Sequence, residues 1–254
     1  MEQTTTQQPH KNKTALVTGA SRGIGRAIAL RLAQLGATVG LHYAVGRDEA
    51  ESLAAEIARQ GGSAFTIRGD LSVIDGVEAI FKGLTEQLGP GQVLDILVNN
   101  AGRQIAEGPH ADEAAFDYLF AINVKAAFFL IQRLTPILCD GGRIINISSG
   151  TSLRGFPEKM VYAMAKAATN SMTKSFAELL GPRKITVNAV LPGIIATDMN
   201  AWARSPQGAE RVAALSVFNR VGQPEDIADV VAFLASEDSR WVTGELISAA
   251  GAVR

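Results

Sequence analysis

A tyrosine and a lysine four residues apart, Tyr162 and Lys166, stand in VYAMAKAATNSMTKSF, a stretch whose pattern predicts a helix. Four residues is close to one helical turn, so both side chains share a face and an ammonium lies beside a phenol. A free tyrosine ionises at about 10, too high for acid–base work at neutral pH, and each unit of lowering represents about 1.4 kcal/mol in favour of phenolate. A neighbouring cation, joined by the charge of a nicotinamide, supplies roughly two or three such units. Hydride transfer is the chemistry that needs such a group. As hydride reaches a carbonyl carbon, negative charge builds on the oxygen and must be met by a proton. Tyr162 is the expected donor. Ser149, thirteen residues earlier and just after the apolar run RIINIS, can return a hydroxyl to the same oxygen. Ser148 competes with it, and alternation along the run does not choose between them. A lone YxxxK pair is more often a packing or surface pair, so its companions decide the matter.

The first companion is TGASRGIG, residues 18–25. It follows the apolar run Ala15-Leu16-Val17-Thr18 and opens a helix-like stretch with Ile24, Ile28, Leu32 and Leu35 on one face, ended by Gly36. Gly19, Gly23 and Gly25 permit a tight turn and close backbone approach, with Ser21, Arg22 and Ile24 between them, so that a pyrophosphate meets the helix N-terminus. Such turns also occur for packing, but a position between strand and helix favours a dinucleotide. An NAD site usually places an acid at the end of the second strand, about 20 residues on. Residues 26–47 contain no Asp or Glu. The second strand ends instead in His42-Tyr43-Ala44, and Arg22 and Arg47 supply guanidinium groups for bidentate contact with a 2'-phosphate. NADP(H) is therefore the expected cofactor, against a reading of both arginines as solvated surface charges. Asp70 and Leu71, in GDL, suit the edge and face of an adenine, although Asp70 equally suits a helix cap before Ser72. After a further strand, Asn100, Ala101 and Gly102 can tie strand ends together and admit a ribose, or form a plain turn.

Residues placed this way need strands that end together. Strand-like runs at 15–18, 38–42, 64–68, 94–98, 143–147, 186–191 and 246–248 alternate with helix-like ones, including 48–60 and the segment carrying Val77, Ile80, Phe81, Leu84 and Leu88. Short runs that are apolar throughout predict strands buried on both faces of a parallel sheet. With right-handed crossovers the expected fold class is α/β, a three-layer, doubly wound parallel sheet with helices on both faces. Ligands then bind at the carboxyl ends of the strands. The 254 residues are read as a loose polar tail over 1–12 and one domain over 13–254, with an irregular, mobile lid over about 194–220.

Composition narrows the partners. With 24 basic and 25 acidic residues spread along the chain and a net charge of -1, there is no basic footprint for nucleic acid. Cys139 is the single cysteine and forms no internal disulfide; it is expected as a small buried side chain in a reducing, cytoplasmic setting. The polar start of the chain lacks an apolar signal core, and no stretch of about 18 uninterrupted apolar residues is present, so no membrane partner is expected. His10, His42 and His110 are scattered, so no metal site is expected.

Taken together, TGASRGIG, NNAG, a serine thirteen before the tyrosine, YAMAK and the later LPG resemble the short-chain dehydrogenases/reductases. The resemblance covers residues 13–251, with the motifs in the family's order, and extends through GQPEDIADVVAFLAS. It implies a Rossmann-like subunit of about seven strands and an Asn, Ser, Tyr, Lys tetrad on Asn123, Ser149, Tyr162 and Lys166, which selects Ser149 over Ser148. By the same likeness Asn123 holds a water that links Lys166 to solvent, Pro192, Gly193, Ile195 and Thr197 meet the nicotinamide carboxamide, and Tyr162 and Lys166 touch cofactor as well as substrate. A homotetramer is also implied, in keeping with the apolar run AAFFLIQ. The tail SAAGAVR departs from the family's paired glycines.

The expected function is NADPH-dependent reduction of a ketone to a secondary alcohol. The alternatives are imine or enoyl reduction by the same cofactor geometry, or an NADP(H)-binding regulator without turnover. The YxxxK spacing argues for a carbonyl. The expected walls for a small-molecule carbonyl or alcohol substrate lie in 151–160, including Leu153, Phe156 and Met160, and in the lid, including Met199, Trp202 and Phe218, against a reading in which several of these simply pack under the lid.

Overall fold

A computed structural model describes residues 8–105 and 110–252. Seven strands form one sheet: β1 (Thr14–Val17), β2 (Thr38–Tyr43), β3 (Ser63–Arg68), β4 (Leu94–Asn99), β5 (Leu138–Ile147), β6 (Thr186–Pro192) and β7 (Leu246–Ala249). Their spatial order is β3-β2-β1-β4-β5-β6-β7, and every neighbouring pair is parallel. The order reverses between β1 and β4, which opens a crevice at the carboxyl ends of those two strands.

The alternation of side chains along each strand divides the interior into two cores. Ala15, Val17, Ile96, Val98, Ile145 and Ile147 face α1 (Gly23–Gln34), α2 (Arg47–Arg59) and α8 (Pro224–Ala235). Leu16, Leu94, Leu97 and Ile144 face the other way, toward α3 (Ile74–Leu88), α5 (Ala126–Leu134) and α6 (Met160–Leu180). Between α4 (Glu113–Phe120) and α5 lies a π-helical turn, Ala121–Lys125. The combined segment Glu113–Ile137 is long and apolar enough to cross a membrane by length and composition. In the fold its buried residues Ala126, Leu130, Ile131 and Leu134 belong to the second core.

Three expectations are corrected. Residues 1–7 of the expected loose tail lie outside the described residues, but residues 8–12 form a turn on the end of α1, with the His10 amide donating to Leu35 O at 2.9 Å and the His10 ring fully buried. β5 begins at Leu138, before the expected 143, because Leu138 pairs with Leu94 ahead of a register shift and carries the polar segment Cys139-Asp140-Gly141-Gly142 into the strand. Part of the irregular lid is regular: Asp198–Arg204 is a 3-10 turn and α7 spans Pro206–Leu215. Ser205 Oγ caps α7 by accepting from Gly208 N at 3.1 Å, so the proline that reads as a breaker sits in the first turn, where its missing N–H costs nothing.

One buried histidine ties the sheet to the turn that follows β1. His42 Nδ1 accepts from Gly19 N at 3.1 Å, which leaves Nε2–H to donate to Gly69 O at 2.9 Å. Burial pulls its pKa from 6.5 down to about 4. The unfolded chain therefore binds a proton that the folded chain refuses between pH 6.5 and 4, and stability falls as pH falls through that window, by about 3 kcal/mol at its lower end. His10, lowered in the same way, adds in the same direction. Urea midpoints measured from pH 7 to pH 4 are expected to decline with a slope that flattens, but does not vanish, in His42→Asn.

Candidate active site

The turn after β1 is built to let something approach its backbone. Gly19 and Gly23 have φ of 64° and 56°, a left-handed region costly for other residues, and a methyl group at Gly25 would fall on the Gly19 carbonyl oxygen. α1 starts without a side-chain cap and without an acid in its first turn, so its leading N–H groups are left for a ligand. Thr18 braces the turn from behind. Its Oγ1 donates to Val98 O at 3.3 Å and accepts from the Asn100 and Ala101 amides, both at 2.9 Å. Asn100 Nδ2 donates to Thr18 O at 2.8 Å and Gly19 O at 3.2 Å, the tie between strand ends that the asparagine pair predicts.

A cavity of about 1200 Å³ runs along these strand ends. Gly19, Ser21, Arg22, Gly23, Ile24, Gly25, Tyr43, Ala44, Asp70, Leu71, Asn100, Ala101, Gly102, Pro192, Gly193, Ile195 and Thr197 line it, as do Ser149, Tyr162 and Lys166. Two of the expected residues are not on the lining: Asn123, in the π turn, and Arg47, which opens α2 and pairs with Glu51 at 2.6 Å. The place of Arg47 is taken by Arg68, which reasoning from sequence missed. Arg68 ends β3 directly beside Tyr43, a neighbour relation that exists only once β2 and β3 are paired in register. Arg22 and Arg68 are both exposed side chains on the lining, suited to an anionic phosphate. Asp70 has both expected characters: Oδ1 accepts from Ser72 N at 2.9 Å and Ser72 Oγ at 2.7 Å, which lowers its pKa, and the residue also faces the cavity. These features suit a dinucleotide stretched along the crevice.

At the other end the four residues of the expected tetrad meet. Lys166, 4% exposed, donates from Nζ to Ile147 O at 2.9 Å, and lies 5.8 Å from the Tyr162 ring centroid. A side chain at Gly102 would press on both Asn123 Oδ1 and Lys166 Nζ, so glycine there brings the two together. Asn123 sits in the π turn, with its amide engaged: Nδ2 donates to Leu119 O and Arg103 O, each at 2.9 Å, and Oδ1 accepts from Arg103 N at 3.2 Å. Insertion of one residue into a helix is what swings this side chain out of the regular spiral.

Ser148 and Ser149 both reach the lining, and their hydrogen bonds distinguish them. A hydroxyl has one proton and two lone pairs. Ser149 Oγ accepts from Thr151 N at 3.2 Å and Thr151 Oγ1 at 2.9 Å, so its proton is left to point at Tyr162, to which it is bonded. Ser148 spends its proton on Asn170 Oδ1 at 2.7 Å. Asn170 Nδ2 donates onward to Ser152 Oγ at 2.8 Å, and Ser152 Oγ to Ser149 O at 2.6 Å. Asn170, four residues beyond Lys166, thus pins the serine loop to α6.

The expected lowering of the phenol counts on Lys166 together with a nicotinamide charge; the side chains by themselves act the other way. Burial pushes the Tyr162 hydroxyl up to about 12 against the pull of the Ser149 bond, and burial draws the Lys166 ammonium down to about 8. Desolvation opposes both charges, and the ammonium is spent on Ile147 O. Tyr162 is a neutral phenol at physiological pH, the form that can give a proton.

Of the expected substrate walls, Leu153, Phe156, Met199 and Trp202 line the cavity, while Met160 and Phe218 point elsewhere. Lys159, inside the expected stretch 151–160, joins them, as do Arg103 and Gln104, which lie outside it.

A family model described as "Enoyl-(Acyl carrier protein) reductase" matches residues 19–251. The chain is 40% identical to a hydroxynaphthalene reductase-like protein, Arp2, of Metarhizium brunneum, over 94% of each chain. Among solved structures it is similar to the angucycline C-6 ketoreductase LanV with bound NADP, at 46% identity and a TM-score of 0.91 over 96% of each chain. A short-chain dehydrogenase/reductase from Serratia marcescens superposes with a TM-score of 0.90 at 38% identity, covering 96% of this chain and 98% of that one. With its glycine-rich turn, its serine, tyrosine and lysine at one end of a single cavity, and these relatives along nearly its whole length, the chain belongs to the short-chain dehydrogenase/reductase family.

Proposed function

We propose that this protein is an NADPH-dependent ketoreductase that reduces a carbonyl of a polycyclic aromatic ketone to a secondary alcohol. The observation that carries the reading is one continuous cavity, with the uncapped α1 N-terminus, Arg22 and Arg68 at one end and a neutral Tyr162 bonded to Ser149 at the other. The relatives named for hydroxynaphthalene and angucycline ketones support an aromatic substrate, as do Phe156 and Trp202 in the wall.

Arg22, Arg68 and the first turn of α1 would hold the phosphates of NADPH, and the 98–102 and 192–197 segments would hold its riboses and nicotinamide. When bound, NADPH supplies hydride to the carbonyl carbon. Ser149 and Tyr162 donate hydrogen bonds to the carbonyl oxygen, and Tyr162 surrenders its proton as charge develops there. Lys166 holds a positive charge beside the phenolate left behind, and Asn123 holds the 103 backbone and the approach to Lys166 in place. The tyrosine-to-lysine spacing of four favours a carbonyl over an enoyl substrate.

The assembly we propose is a homotetramer in the cytoplasm. Phe128 and Phe129 on α5, Leu179 on α6, Phe233 on α8 and the 95% exposed Trp241 present apolar surface that second copies would cover. Cys139, half-buried and without a second cysteine to pair with, suits a reducing compartment.

Four outcomes are expected. Tyr162→Phe lowers kcat for an aromatic ketone by at least about 10²-fold while NADPH still binds, whereas a binding regulator would turn over in neither form. Gly25→Ala raises the dissociation constant of NADPH more than about tenfold by fluorescence titration. Arg68→Met narrows the preference for NADPH over NADH by about tenfold, and Arg47→Met leaves it unchanged. Asn170→Leu lowers kcat by about tenfold with KM held within about twofold, as a loosened Ser149 requires; an equal rise in KM would assign Asn170 to packing alone.

A further inference from the structure

Lys159 and Arg103, two cations on the substrate end of a lining that also carries Arg154, have neutral groups as their hydrogen-bond partners among the described residues. Lys159, which caps the start of α6 three residues before Tyr162, donates from Nζ to Gln104 Oε1 at 3.2 Å. Arg103 Nε donates to Tyr118 Oη at 3.5 Å. Both cations, and both of their partners, line the cavity. Gln104 and Arg103 belong to the loop whose backbone Asn123 clamps through Arg103 N and O, so the position of this loop is fixed from inside the π turn. Among the described residues the acids on the same lining are already engaged: Asp198 pairs with Arg204 at 2.9 Å, and Asp70 lies on Ser72 at the end of β3.

Resting on the ketoreductase reading, we propose that Lys159 and Arg103 form a cationic subsite for an ionised phenolic or enolic oxygen of the aromatic ketone. Lys159 exchanges the Gln104 amide oxygen for that anion. A hydrogen bond in which both partners are charged is roughly twice as strong as one to a neutral oxygen, and here it forms against apolar walls that include Leu153, Phe156 and Trp202. The exchange also favours reduction: an anionic oxygen conjugated with the ring feeds electron density toward the carbonyl and resists hydride, and two cations on that oxygen withdraw it again. Substrate choice is then set at a rim three residues from Tyr162, by groups that take no part in proton transfer.

Binding separates this proposal from the reaction itself. The probes are 2-hydroxy-1,4-naphthoquinone, which is ionised at neutral pH, and its 2-methoxy ether, titrated calorimetrically into the NADP⁺-loaded protein. The anion is expected to bind wild type about tenfold more tightly than Lys159→Gln, with a smaller loss in Arg103→Gln, and this advantage shrinks between 50 mM and 500 mM salt. The ether binds all three proteins within about twofold, which also verifies that the variants are folded. The proposal is overturned if the anion binds wild type and Lys159→Gln alike, if the ether loses as much as the anion, if neither probe binds, or if pantetheine 4'-phosphate competes with the same dependence on Lys159. Absence of ketone turnover in wild type alongside the expected binding pattern would sink the reductase reading and leave the anion subsite standing.

Discussion

A lysine ammonium buried to 4% exposure, with the Ile147 carbonyl as its hydrogen-bond acceptor at 2.9 Å, is the constraint around which the site is organised. Removing a cation from water is costly unless it is hydrogen-bonded and its surroundings are fixed. The carboxyl end of β5 supplies the acceptor, glycine at 102 leaves the space, and the π turn at 121–125 brings Asn123 to the same place. The cost appears in both titrating groups, since the same burial that draws Lys166 down to about 8 pushes Tyr162 up to about 12. Both shifts have one cause, the exclusion of water from the site.

Around that point, polar side chains replace the strand hydrogen bonds that end at the crevice. Thr18, Asn100 and His42 connect the ends of β1, β2, β3 and β4. Asn99 Nδ2 reaches Asn146 Oδ1 at 2.9 Å, and Asn146 Nδ2 reaches Thr173 Oγ1 at the same distance, carrying the connection from β4 through β5 to α6. Linked bonds of this kind make the sheet ends rigid as a set, with Asn99 Oδ1 left as a buried acceptor without a hydrogen bond. Rigidity there places the glycine-rich turn and the Tyr162 hydroxyl on one cavity wall, although 143 residues separate Gly19 from Tyr162.

The lid has a different character. Its root returns to the sheet through the bridge between Ile195 and Gly222 and through Thr197 packed on Gly23, while Val217 N and Ser216 Oγ donate to Gly251 O at 3.1 and 3.2 Å. The last described residues of the chain therefore brace the cover of the cavity, and Ala252 is part of its lining. This is where SAAGAVR, so unlike the family's paired glycines, finds its use: Ala250 closes against Gly193, which needs to be glycine for that approach.

Periodicity and spacing were enough to locate the strands apart from the start of β5, the glycine-rich turn and the tyrosine–lysine face, because each depends on contacts within a few residues or on a repeat along one element. The resemblance to the family added the choice of Ser149 and the place of Asn123. What no local pattern carried were relations across elements: Arg68 in the position expected of Arg47, Lys159 reaching Gln104, Asn170 holding the serine loop, and a phenol whose pKa rises because its neighbours exclude water. Sequence specifies which side chains share a helix face. The packing of separate elements decides how much water is left around them, and desolvation sets their charge.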